Sequence, residues 1–431
     1  MLSTSQFPAF TSAQNKMLRH HAFFETLGSV SREEGLWRST FAGLAVLRLV
    51  DQTEDSEDST KPPPWSVLYT TREAIAALSN GDPARGILTR VVELIDSGRR
   101  ISAEVGDQLM AYGRSLDVEG RWGLAAEVFR TVAARFPAPS QMRLAIESCT
   151  ALGSASRHIG DWDASARGYA EAQHLADTIG DRAASLTVQI GVAGTLMSRG
   201  NLQAADRDLD EVLEEAHATS LENVEALALH AKASVAHSRG DYQRAVHLAY
   251  RSLELTTNRS SRERILADIA AAYAGLGMRD AARDGYSIVA LTSPHQWVRW
   301  QATLNLMELA IGDGERETFV DYMKQTESAA LDPRLRAYFL FFKALGHDRF
   351  EMGAAQDMFD SAAQFASDHG FHQIEFEIEA AAERSRANTL TYFPPAIEDR
   401  PLAGDEQMHT IAEALALLRE AATSGTAGES G

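Results

Sequence analysis

One short phrase recurs along the chain at a nearly constant interval, and that interval limits the fold more than any other property of the sequence. The phrase is a glycine, a polar residue, often a bulky residue, then a small residue a few positions on. It reads Gly120-Arg-Trp-Gly-Leu-Ala125, Gly160-Asp-Trp-Asp-Ala-Ser165, Gly200-Asn-Leu-Gln-Ala-Ala205 and Gly240-Asp-Tyr-Gln-Arg-Ala245. These glycines lie 40 residues apart each time. A weaker copy, Gly81-Asp-Pro-Ala-Arg-Gly86, precedes them at a spacing of 39, and Gly277-Met-Arg-Asp-Ala-Ala282 follows at 37. Degenerate copies are expected at Gly312-Asp-Gly-Glu-Arg-Glu317 and Phe350-Glu-Met-Gly-Ala-Ala355. A period of this length marks stacked supersecondary units, none of which can bury its apolar face alone.

The flanks of each phrase read as helices. After Gly240, residues Tyr242, Ala245, Val246, Ala249 and Leu253 keep to one helical stripe. Before it, Leu227 to Val235 is rich in Ala and Leu. Alternating runs of β-branched and aromatic residues are scarce. Each unit therefore reads as helix, tight turn, helix. The glycine suits a left-handed C-cap, and the Asp or Asn after it suits the next N-cap. A small residue five positions after the glycine lets the two helices approach closely.

These residues resemble the tetratricopeptide repeat, in which a small residue and an aromatic precede a turn glycine, followed by a tyrosine, an alanine and a late proline. The repeat at Gly277 fits with Ala270, Tyr273, Ala282, Tyr286 and Pro294, and that at Gly120 with Gly113, Trp122, Ala125, Phe129 and Pro137. Ala233, Tyr242 and Ala245 match around Gly240, as do Gly153, Trp162 and Tyr169 around Gly160. The resemblance spans roughly residues 66–387 and is strongest over 105–295. It implies an all-α fold, a right-handed α–α superhelical solenoid of helix pairs. The period of 40 exceeds the family's usual ~34 and resembles its long-helix variants.

The predicted organisation is an N-terminal helical unit over 1–50, an acidic and proline-rich linker over 51–64, the solenoid over 65–390, a capping helix over 391–422 and a disordered tail over 423–431. Arg32 to Val50 reads as an amphipathic helix with Trp37, Phe41, Leu44 and Leu47 on its apolar stripe. Met17 to Leu27 reads as another. Tyr392-Phe-Pro-Pro395 breaks the chain, and Asp405 to Ala422 carries the stripe Met408, Ile411, Leu415 and Leu418. That helix is expected to cap the solenoid's end.

Charge and composition exclude several function classes. The chain has 60 acidic and 41 basic residues, a net charge of -19. A field of that sign opposes binding to nucleic acid or an anionic membrane. No apolar run approaches the ~18 residues of a membrane span, and no secretory signal opens the chain. The single cysteine, Cys149, excludes an intrachain disulfide. These features point to the cytoplasm.

No catalytic signature emerges. The phosphate-loop, dinucleotide, zinc-protease, nucleophile-elbow and Cys-x-x-Cys patterns are missing. Cys149 falls in an apolar helix and reads as a buried structural thiol. His20 and His21 are adjacent, and His369 and His372 lie three apart, but no carboxylate or cysteine completes a metal set. No cofactor, metal or catalytic residue is expected.

In the family, first helices line a concave surface that holds peptides or partner helices. Counting back from each turn glycine places Arg114 and Asp117, then Thr150, Ser154 and Arg157, then Ile190, Gly194 and Met197, then His230, Ser234 and His237, then Arg264 on that surface. Met110 falls on the same register. The family's carboxylate clamp of Lys and Asn is lacking at these positions. Arg114, Arg157 and Arg264 suggest instead a peptide with an acidic or C-terminal group, while His230 and His237 read as packing residues. The sequence thus predicts a non-catalytic adaptor or regulatory scaffold whose partner is a protein or peptide. One alternative is a sensor whose superhelix changes curvature on binding a ligand; an enzyme with a site outside the core repeats is the remoter one. Homo-oligomerisation through the terminal helices is left open.

Overall fold

The computed structural model describes residues 19–32, 34–52, 63–99, 102–136, 141–329, 331–387, 389 and 406–428. Most of the expected linker, Pro137, the Tyr392–Pro395 break and residues 1–18 and 429–431 lie outside them. Among the described residues there are twenty helices and no strand. Two helices, α1 (His21–Ser29) and α2 (Gly35–Gln52), precede the repeats. The pairs are α3 (Trp65–Ala76) with α4 (Pro83–Asp96), α5 (Ala103–Val118) with α6 (Trp122–Arg135), and α7 (Met142–His158) with α8 (Trp162–Ile179). Next come α9 (Arg182–Ser198) with α10 (Leu202–Ala218), α11 (Glu222–Ser238) with α12 (Tyr242–Leu255), and α13 (Arg259–Gly275) with α14 (Arg279–Thr292). Then follow α15 (Gln296–Asp313) with α16 (Arg316–Glu327), α17 (Pro333–Arg349) with α18 (Ala355–Asp368), α19 (His372–Arg386) and α20 (Glu406–Gly428). This is an all-α, tetratricopeptide-like helical repeat, divided into two compact units, Met1–Gly191 and Val192–Gly431.

The recurring phrase is a repeated turn. Gly120, Gly160, Gly200, Gly240 and Gly277 have φ between 71 and 80°. Side chains with a Cβ avoid that region, so glycine ends the first helix. The amide of the next residue then bonds back five positions: Asp161 to Ser156 O and Asn201 to Leu196 O, each 2.9 Å. Asp161, Asn201 and Asp241 accept from Ala164, Ala204 and Arg244 amides and start the second helices. The turn continues at Gly314, not at the expected Gly312, because Gly314 takes the positive φ that caps α15. Gly81 lacks it; α4 starts instead on Asp82 with Pro83 in its first turn.

Small residues set how closely the helices approach. A Cβ on Gly168 of α8 would stand 2.9 Å from both Cys149 O and Gly153 N of α7, backbone atoms that cannot swing away. The second-helix aromatic then crosses between first helices. The Tyr169 ring lies against Gly153 of α7 and against Gly191 at the close of the first unit.

The terminal helices pack on the repeats. α2 runs to Gln52, past the expected boundary, because Asp51 is an anchor and not linker. Its carboxylate accepts from Arg135 at 2.8 Å and from His20 at 3.1 Å. Burial alone would raise the Asp51 pKa, but these bonds and the Arg135 charge hold it at about 2. With Arg121 bonded to Ser39, α2 lies parallel to α6. The Tyr112 hydroxyl fills the space that a Cβ on Gly43 would take.

At the other end α20 extends past 422, to Gly428, and does not cap the last pair. It lies on α14 and α12. Met408, Ile411 and Leu415 are buried there, while Leu418 is 44% exposed. Tyr273 OH donates to Met408 O at 2.9 Å, and Arg419 pairs with Asp284 at 2.7 Å. No helix among the described residues is long and apolar enough to cross a membrane.

Candidate functional site

Apart from Met110, the first-helix positions predicted to face a ligand keep accessible surface. Arg114, His237 and Arg264 are exposed; Asp117, Thr150, Ser154, Arg157, Ile190, Gly194, Met197, His230 and Ser234 are partly so. Met110, on the same register, is 2% exposed and belongs to the core, because α5 turns that side toward its neighbours.

In the first unit the stripe is largely satisfied by the chain itself. Arg114 pairs with Glu147 of α7 at 2.8 Å. Arg157 and Ser154 both hydrogen-bond the Tyr169 side chain, and Arg157 also meets His158 at 3.0 Å. Burial raises the Tyr169 pKa, with Arg157 pulling the other way. Thr150 bonds back to Ile146 O. Two of the three arginines proposed to take an acidic ligand therefore already have partners.

In the second unit His230 Nε2 and Asp268 Oδ2 are 2.6 Å apart, joining α11 to α13. Ser234 bonds back to His230 O, and His237 packs edge-on to Tyr242 at 5.1 Å. Farther along, the register yields a residue that the sequence pattern did not single out. Glu308 stands six positions before Gly314, as Arg114 stands before Gly120 and Ser234 before Gly240. The degenerate phrase around Gly312 hid it. Between Gln301 and Gly312 only Asn305 and Glu308 are not buried, so this second half of α15 opens one narrow stripe. Burial pushes the Glu308 carboxyl up to about 7, and the Glu377 charge on α19 adds to the rise.

Tyr286 occupies the same place in its repeat as Tyr169, nine positions after the glycine. It is 7% exposed. Burial raises its pKa, and the negative charges of Glu308 and Asp268 raise it further. Its hydroxyl makes no hydrogen bond among the described residues.

The other candidate groups do not converge. Burial holds the Cys149 thiol at about 11, with Glu171 adding to the effect, which suppresses the thiolate. His20 is buried against Asp51, His21 pairs with Glu25, His372 with Glu375, and His369 stacks on Phe365. Among the described residues no three His, Cys, Asp or Glu are grouped to hold a metal ion.

Residues 160–311 match the family described as the C-terminal domain of Suppressor of spindle checkpoint defect 1. None of the curated proteins matches the chain. Among solved structures, a Rap protein complexed with competence and sporulation factor is similar, with 13% identity, 81% of this chain and 99% of that one covered, and a TM-score of 0.43. The TPR domain of P58(IPK) is similar at 14% identity, 80% and 99% coverage and a TM-score of 0.21.

Proposed function

We propose that this protein is a non-catalytic adaptor or regulatory scaffold, a long-repeat member of the tetratricopeptide class that binds a protein or peptide along its first helices. One observation carries the reading: at a fixed register the first helices keep accessible side chains of unlike chemistry, Thr150 and Ser154 in the first unit and His230, Ser234 and Arg264 in the second, while most of their flanking positions are core. Packing demands small or apolar residues at the flanking positions and nothing of the stripe. Side chains freed from packing are where a repeat protein can vary its specificity.

Site-specific photo-crosslinking in the native cell tests it. A crosslinker replacing Thr150, Ser234 or Arg264 should capture a partner by mass spectrometry, and one replacing Arg207 or Arg244 on second helices should not. Capture only from the second helices, or from none of these positions, would overturn the reading.

A further inference from the structure

The geometry points to a docking site within the first unit: the exposed aromatic face of α2 and α3 takes the chain's own residues 7–10, Phe7-Pro8-Ala9-Phe10.

The surface comes first. Six aromatic side chains are exposed among the described residues, and four of them, Phe24, Phe41, Trp65 and Tyr69, belong to α1, α2 and α3. Trp65 is 74% exposed. The rings are ordered in pairs. Trp37 stacks on Phe41 along α2 at 5.0 Å, and Trp65 on Tyr69 along α3 at 5.2 Å. Between the two helices Trp37, Phe41, Ala74 and Ala77 line a cleft of about 390 Å³. That volume falls in the ~300–1,000 Å³ range of ligand clefts. Arg38 and Glu73 are its only charged members, and their charges offset. Tyr69 lies one helical turn before Glu73, which extends the aromatic surface along α3. Solvent-facing rings concentrated on consecutive helices, around an apolar cleft, mark an interaction surface.

The occupant comes second. A cleft without net charge selects apolar bulk. Residues 1–15 carry no charged side chain, and they hold two phenylalanines three positions apart around a proline. Proline favours the polyproline-II conformation, whose three residues per turn set positions 7 and 10 on one side, ~9 Å apart. Two rings then meet the same face together.

Reach comes third. Arg19 pairs with Asp51 at 3.4 Å, so residue 19 is held beside the C-terminal end of α2. Phe41 lies ten residues back along α2, ~15 Å at helical rise, and Trp37 fourteen, ~21 Å. Phe10 precedes Arg19 by nine residues and Phe7 by twelve, spans of up to ~30 and ~40 Å in an extended chain. The tether is longer than the path in both cases.

A benzoylphenylalanine in place of Phe10 in the full chain tests this. After irradiation, peptide mapping should place most crosslinks on residues 37–41 and 65–77 of the same molecule. An added peptide of residues 4–13 should reduce them at least tenfold at saturation. Phe41→Glu with Ala77→Glu, both at exposed positions, should do the same in a chain whose helical melt matches the parent. If that variant does not fold, the crosslink map and the peptide competition decide alone. Crosslinks elsewhere on the chain, no crosslinks, or crosslinks that join two chains would overturn the proposal.

Discussion

At the scale of single residues the decisive question is what packing requires at each repeat position. At Gly168 it requires glycine, since a methyl there would press on backbone atoms of α7. Gly168→Ala should cost roughly 1–3 kcal/mol through overpacking. Gly86, also helical, faces open space, with nothing within 4 Å of the place a Cβ would take. Gly86→Ala should therefore stabilise by about 0.5–1 kcal/mol through helix propensity. Chemical denaturation of the two variants checks the contrast, and the same sign for both would refute it. Glu308 is not required by packing, and its charge works against the fold. Its carboxyl titrates near 7 in the fold against 4.5 when exposed, because burial and Glu377 disfavour the ionised form. The folded state thus holds this proton more tightly than the unfolded chain. The destabilisation is absent below about pH 4.5, grows between there and 7, and is full above. Glu308→Gln should melt higher than the parent chain at pH 8, by the equivalent of roughly 1–3 kcal/mol, and converge with it near pH 4. A difference that does not depend on pH would remove the charge explanation.

At the scale of elements the regular turns were legible because their chemistry is local. A glycine at positive φ and an Asp or Asn cap can be read from two adjacent letters, and both are found at Gly160, Gly200 and Gly240. What could not be read was tertiary. Nothing near Asp51 announces that Arg135 and His20 will meet it, 84 and 31 residues away. Nothing within Met408–Leu418 says that the stripe will seat on α12 and α14 instead of the last pair. The site divides the same way. Accessibility of the stripe followed from the period, but Glu147 capturing Arg114, and Tyr169 capturing Ser154 and Arg157, depend on side chains from neighbouring helices. The α20 docking is separable from the repeats, since it rests on Met408, Ile411, Leu415, the Tyr273 hydrogen bond and the Arg419–Asp284 pair. Ile411→Ala should weaken it by about 2–4 kcal/mol. Hydrogen exchange should then speed up in α20 and at Tyr273, with α17 to α19 unchanged. Equal loss of protection across the second unit would instead make α20 part of one cooperative core.

For the whole molecule, the pattern of contacts decides how a local injury spreads. From α1 to α8 and from α10 to α19 each helix touches its sequence neighbours, and some first helices touch the next first helix, as α5 does α7, α11 does α13 and α15 does α17. The exceptions are the terminal helices, α1 and α2 on the early pairs and α20 on α12 and α14. A chain wired this way has stability close to a sum of pair and interface contributions, so damage stays near its source. Ala245 gives a place to test this. It and Ala233 are each 3% exposed in one apolar cluster, where α12 lies close against α11. Ala245→Trp should overpack that contact by roughly 1–3 kcal/mol or more. Exchange protection should fall in α11 to α14, and in α20, which leans on α12 and α14. It should persist in α17 to α19 and in α2 to α6. Uniform loss throughout would show that the molecule unfolds as a single block, and the additive description of its repeats would have to be abandoned.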